Sequence, residues 1–190
     1  WFAQAHKAGC GPELELDAVV NAHRVLDGLP EPVTLAVNAS PDVAGSDALL
    51  DVVTSLDPRR VTVEITEHRR ASAPALFASA LQRLKSHGVQ VAIDDAGTGY
   101  SDLRQILELQ PDILKLDRAL IDGVDTDPVK VALVQALVAF GKDTGTRLVA
   151  EGVSANSVRD ALRLLHVDYG QGYALGRPEP AARVIARLGR

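Results

Sequence analysis

These 190 residues contain no methionine and a single cysteine, Cys10. One thiol cannot close an internal disulfide, so a reducing compartment, the cytoplasm or the cytoplasmic portion of a larger protein, is the expected home. The same count rules out a metal site built on several thiolates. The chain opens WFAQAHKAG with no initiating methionine, which predicts a piece of a longer product. Long apolar runs are also lacking: the most apolar segment, 128–140, falls short of the roughly 20 residues that cross a bilayer. Positive charge is scarce, with 20 Lys and Arg against 25 Asp and Glu and a formal net charge of −5. A long nucleic-acid backbone is therefore not an expected partner, since binding one takes clustered Lys and Arg to release counterions. No Pro/Gly/Ser linker, low-complexity segment or charge block divides the chain, so residues 1–190 read as one soluble domain.

What is present is an alternation of short β-branched runs and longer amphipathic stretches. Strands are predicted at 33–38, 60–66, 89–95, 112–117, 147–152 and 167–173. Helical spacing occupies 12–26, 47–56, 72–88, 101–109, 128–145 and 155–167. Ser101 with Asp102, and Asp127 with Pro128, are start signals, and Gly88 and Gly145 are stops. Strands alternating with helices imply parallel βαβ units.

The unusual polar residues fall at one recurring place on that map. Asn38, Glu64, Asp94 with Asp95, Lys115 with Asp117, Glu151 and Gln171 each lie at or just past the C-terminal end of a strand. Six successive strands contributing to one end favour a (β/α) barrel, whose mouth collects such residues, over a doubly wound sheet, where only strands beside the switch point share a site. A barrel usually has eight strands, so about two are expected upstream. The donors are oxygens only. That set suits magnesium, manganese or calcium, whereas zinc recruits His or Cys, and all five histidines fall in predicted helices or loops. A divalent cation turns the repulsion of adjacent Asp94 and Asp95 into shared attraction, and two cations about 3.5–4 Å apart are the usual device for in-line displacement at phosphorus. Lys115 then orients the attacking water or neutralises phosphate charge. Each residue alone has an ordinary reading: Asp117 as a helix cap or partner of Arg118, Glu64 as partner of Arg60, Gln171 as a turn residue. Independent caps give no reason for six repetitions. GTGYSD lacks the third glycine of a dinucleotide loop and carries two aspartates where pyrophosphate would lie.

The runs VNAS, VEITE, AIDDAGTGYSDL, LKLD, AEGV and QGY followed by RPEP, in that order across residues 2–180, resemble the EAL domain. The resemblance implies a TIM-like (β/α) barrel with one antiparallel strand, here without its N-terminal strand or strands, and hydrolysis of cyclic di-GMP to linear pGpG. It implies a metal site of Asn38, Glu64, Asp94 and Asp95 holding two Mg2+ or Mn2+ ions, with Ca2+ inhibitory. Glu151 and Gln171 complete the site, Lys115 carries the catalytic-water role with Asp117 beside it, and Glu67 anchors the loop containing Gly97, Thr98 and Gly99. A homodimer contact near that loop and sensory or cyclase domains elsewhere in the parent chain are implied too. The Glu-Ala-Leu signature itself is expected upstream of Trp1. Ala96 stands where the family usually has Phe, and Ser154 where it usually has Glu.

Two other functions compete. A non-catalytic receptor for the dinucleotide or for a partner domain would keep the site for shape, but such members usually lose acids that remain here. A Schiff-base aldolase with Lys115 as nucleophile requires a neutral amine, which the surrounding carboxylates oppose.

Overall fold

The computed structural model describes residues 1–55, 57–65, 74–96, 106 and 109–188, and of residues 74, 75, 95 and 96 the backbone only. The described elements are α1 (Phe2–Lys7), α2 (Gly11–His23), β1 (Leu35–Ala39), α3 (Pro41–Ala44), α4 (Asp47–Thr54), β2 (Val61–Ile65), α5 (Pro74–Ser86), β3 (Gln90–Ala96), β4 (Ile113–Leu116), α6 (Arg118–Ile121), α7 (Pro128–Thr144), β5 (Arg147–Ala150), α8 (Asn156–Leu164), β6 (Tyr169–Gly170) and α9 (Ala181–Leu188). Strand order in the sheet is β1-β2-β3-β4-β5-β6. Sequential order without a reversal is barrel-type connectivity; a doubly wound sheet changes direction at a switch point. The four ladders with a described register are parallel. The antiparallel strand that the family resemblance implies is not among them.

The chain divides into two compact units, Trp1–Val91 with Glu179–Arg190, and Ala92–Pro178. In the first, β1 and β2 run side by side from Leu35 opposite Val61 to Ala39 opposite Ile65. The strand starts at Leu35, two residues later than the periodicity suggests, where the facing segment is a 3-10 turn, Pro58–Arg60, that ends in Arg60. Its guanidinium donates to the carbonyls of Val33 at 3.0 Å and Leu29 at 2.7 Å, so the backbone of Val33 is committed before the ladder begins. α4 is launched by Ser46, whose hydroxyl accepts the Leu49 N–H at 3.2 Å. It buries Leu49 and Val53 completely, each worth about 1.5–3 kcal/mol of transfer free energy. Val63, Leu81, Leu84 and Val91 continue this core.

In the second unit α7 has both predicted end signals. Asp127 Oδ1 accepts from the N–H groups of Val129 at 2.8 Å and Lys130 at 3.4 Å, and Pro128 fills the first turn. Gly145 closes the helix at φ 77°, a left-handed conformation that a Cβ would strain. The chain then returns directly into β5, pinned by Thr146 Oγ1 donating to the Pro111 carbonyl at 3.0 Å and by the Leu148 N–H donating to Asp168 Oδ2 at 2.8 Å. Leu114, Leu116, Ile121, Val134 and Leu148 form this unit's core.

Candidate functional site

The geometry of the site begins with an irregularity in β3. Ile93 pairs with Leu114 and Ala96 with Leu116, so the two residues Asp94 and Asp95 stand against the single residue Lys115 of β4. In a regular strand consecutive side chains face opposite ways; an extra residue breaks that alternation and re-aims what it carries. The paired aspartates of the sequence therefore sit on a bulge, which strand periodicity alone does not foretell.

Lys115 is 4% exposed. Its Nζ lies 3.0 Å from Asp94 Oδ1 and 2.7 Å from Glu151 Oε1, and the two carboxylates are largely buried with it. Glu151 follows β5 directly and keeps the strand's course by donating its N–H to the Leu116 carbonyl at 3.0 Å. A lysine taken out of water is tolerated only when its charge is met by close, hydrogen-bonded partners. Two carboxylates against one ammonium leave the trio with a formal surplus of one negative charge. An ammonium gripped in this way is not a free amine nucleophile, which removes the support for imine chemistry.

Asn38 stands opposite Glu64 in the β1–β2 ladder, one residue before the end of each strand, and register partners in a parallel ladder project from the same face. The amide is exposed and the carboxylate half-buried. Arg60, the candidate ion-pair partner of Glu64, spends its guanidinium on the Leu29 and Val33 carbonyls. Asp117 takes the capping role that sequence allows it: its Oδ1 accepts the Ala119 N–H at 2.6 Å and opens α6. Gln171 is exposed, and its backbone is stapled on both sides, N–H to the Ala150 carbonyl at 2.8 Å and carbonyl to the Val153 N–H at 3.0 Å. Gly172 permits that approach, since a Cβ there would come within 2.3 Å of the Val153 backbone. The side chain of Asp95, and Glu67, Gly97, Thr98 and Gly99, lie outside the described residues.

Among the described residues no three His, Cys, Asp or Glu side chains converge as a ready metal cage. The donors that are described are hard oxygens. None of the histidines described, His6, His23, His87 and His166, lies on a strand. A surplus of negative charge offered through oxygen fits magnesium, manganese or calcium and not zinc.

One contact at this end of β1 is missing from the sequence reading. Glu15 of α2, 9% exposed, accepts the N–H of Ser40 at 2.9 Å through Oε2, immediately beyond the strand that carries Asn38. The signal available was its place in a helical row, Gly11, Glu15, Val19 and His23, which is the buried face of α2. An acid in such a row calls for a partner.

A sequential parallel sheet that carries oxygen donors near the C-terminal ends of its strands, with a lysine clamped between two carboxylates, is the class of α/β protein defined here. The chain belongs to the EAL domain family, whose model matches residues 2–178. The cyclic di-GMP phosphodiesterase RocR of Pseudomonas aeruginosa is 37% identical over 163 residues, covering 83% of this chain and 42% of RocR. Among solved structures, the MucR phosphodiesterase in complex with c-di-GMP superposes with a TM-score of 0.83 at 31% identity, covering 97% of this chain and 78% of that one. Klebsiella pneumoniae BlrP1, solved as a manganese/cy-diGMP complex, gives a TM-score of 0.79 at 29% identity, over 90% of this chain and 46% of that one. The chain spans less than half the length of RocR and a quarter of the bifunctional Pseudomonas aeruginosa diguanylate cyclase/phosphodiesterase MucR, to which it is 36% identical over 172 residues.

Proposed function

We propose that this protein is a metal-dependent phosphodiesterase that hydrolyses cyclic di-GMP to linear pGpG. The observation that carries the reading is Lys115, buried and held between Asp94 and Glu151 at the C-terminal ends of three adjacent strands of an EAL domain. Residues 1–190 serve as a single EAL-type domain in this proposal, acting in the cytoplasm. Among the described residues no helix is long and apolar enough to cross a membrane.

Water attacks phosphorus in line, and the P–O bond to the ribose 3′ oxygen breaks, leaving a 5′-phosphate and a free 3′-hydroxyl. Asn38, Glu64, Asp94 and Asp95 are the residues to hold the cations, two Mg2+ or Mn2+ ions, with Glu151 and Gln171 completing the set. Bound divalent ions supply a more acidic water and charge neutralisation for the phosphoryl oxygens. Asp94 and Glu151 fix Lys115 Nζ, and Lys115 donates to the attacking water or to a phosphoryl oxygen as negative charge grows there. Asp117 shapes the chain just after Lys115 by capping α6. Glu67, Gly97, Thr98 and Gly99 lie outside the described residues; in this proposal they have a regulatory part, with a homodimer and with sensory or cyclase domains elsewhere in the parent chain.

The test is release of pGpG from cyclic di-GMP by the purified protein with Mn2+. Cleavage is expected with Mn2+ or Mg2+, and loss of cleavage with a chelator or with Ca2+, whose longer and looser coordination misplaces the water. Binding of the dinucleotide without cleavage under all of these conditions would make the protein a receptor instead.

A further inference from the structure

We propose that Glu15, steadied by His6, is a positioning residue for the turn after β1 and, through that turn, for the amide of Asn38. The proposal rests on the metal-binding role given to Asn38 above.

The turn lacks its ordinary means of fixation. Ser40 is the N-cap of α3, yet its hydroxyl makes no capping bond, and Ser40 Oγ is buried without a hydrogen-bond partner among the described residues. The peptide between Ala39 and Ser40 is instead held from outside, by the bond from the Ser40 N–H to Glu15 Oε2. Ala39 and Ser40 are 1% and 3% exposed, so water cannot substitute for that carboxylate. Asn38 is the next residue back along the strand. The carboxylate itself is oriented by a second contact, Glu15 Oε1 with His6 Nε2 at 2.5 Å.

The corner between α1 and α2 is shaped around this imidazole. A Cβ on Gly11 would come within 2.1 Å of His6 Nδ1 and 2.4 Å of Cγ, so any side chain there evicts the ring. A glycine at the start of one helix thus leaves room for an imidazole from the preceding helix, and that imidazole meets the buried acid that holds the Ser40 N–H. For stability alone an apolar side chain would serve this helix face better, as Val19 does one turn further along, because a desolvated carboxylate is repaid only in part by its partners. What the carboxylate adds is direction, fixing one peptide plane beside a ligand, and outer groups that orient ligands typically change metal affinity about 10–100-fold.

Mn2+ affinity, read from the electron paramagnetic resonance signal of the free ion, tests this without reference to turnover. Glu15→Leu keeps the packing and removes the acceptor. Glu15→Gln keeps an acceptor for the Ser40 N–H. The expected result is weaker Mn2+ binding by at least about tenfold in Glu15→Leu, recovery to within a few-fold of wild type in Glu15→Gln, and a loss in the same direction for His6→Ala. In an Asn38→Ala background, Glu15→Leu should cause no further loss, because the group it positions is already gone. Wild-type affinity in Glu15→Leu, or an undiminished loss in the Asn38→Ala background, overturns the proposal while the metal site stands. A wild-type protein that binds no Mn2+ overturns the metal reading and this proposal together.

Discussion

Lys115 is the side chain on which the proposed chemistry turns, its charge met by Asp94 at 3.0 Å and Glu151 at 2.7 Å. Lys115→Met removes the cation, keeps the volume and leaves two neighbouring carboxylates without it. Turnover of cyclic di-GMP should fall by about 100-fold or more, in the range typical of losing a preorganised electrostatic group, with the loss mainly in kcat. A loss confined to KM would assign Lys115 to uniform substrate binding instead. His23 gives a prediction on stability. Burial lowers its pKa from the ordinary 6.5, the negative charge of Asp27 acting weakly the other way, and its Nε2 has no hydrogen-bond partner among the described residues. A lowered folded-state value means that the unfolded chain takes up the proton first. No stability is lost above about pH 6.5, and stability falls as pH drops from there towards the folded value. His23→Leu should flatten that part of the stability profile in chemical denaturation between pH 7 and pH 5; an unchanged slope would place the acid sensitivity elsewhere. At this scale Asp94, Lys115 and Glu151 were legible because chemistry-bearing residues recurred at strand ends. Glu15 was not, because an isolated acid in an amphipathic helix looks like surface until its row is seen to be buried.

Elements were legible where end signals and periodicity agreed. α7 starts at Asp127-Pro128 and stops before Gly145 as the sequence implies, and Asp127→Ala should cost about 0.5–2 kcal/mol in denaturant unfolding, the ordinary worth of such a cap. An unaltered midpoint would mean that Pro128 alone sets the helix start. Short elements were less legible: α3 and α6 are single turns, and of α6 only its cap, Asp117, could be read. β1 begins later than its periodicity suggests because the facing segment, Pro58–Arg60, is a 3-10 turn whose Arg60 also takes the Val33 carbonyl from 27 residues away, and no local window contains that information. The bulge of β3 belongs to the same class, a consequence of pairing with β4. The turn of Gly172 carries a sharper expectation. With backbone 2.3 Å from the nearest possible Cβ, Gly172→Ala must move the chain that bears Gln171. Activity should drop with it, whereas Gln171→Ala alone leaves the backbone intact; equal stability of Gly172→Ala and wild type in thermal melts would contradict the close approach.

These 190 residues together are acidic, with a formal net charge of −5, and the proposed substrate is an anion. Long-range steering therefore does not favour encounter, and attraction has to come from cations held at the site. Family membership and sequential strand order were both legible in the sequence, because the motifs recur in order and each helix returns the chain to a parallel neighbour. In the proposed mechanism Asp94 holds the ions on which cleavage depends. The most direct test of that role is Mn2+-dependent pGpG release by wild type and by Asp94→Asn at matched folding, checked by circular dichroism. The expected result is a folded variant without measurable cleavage, and a folded variant cleaving at the wild-type rate would contradict the role given to Asp94.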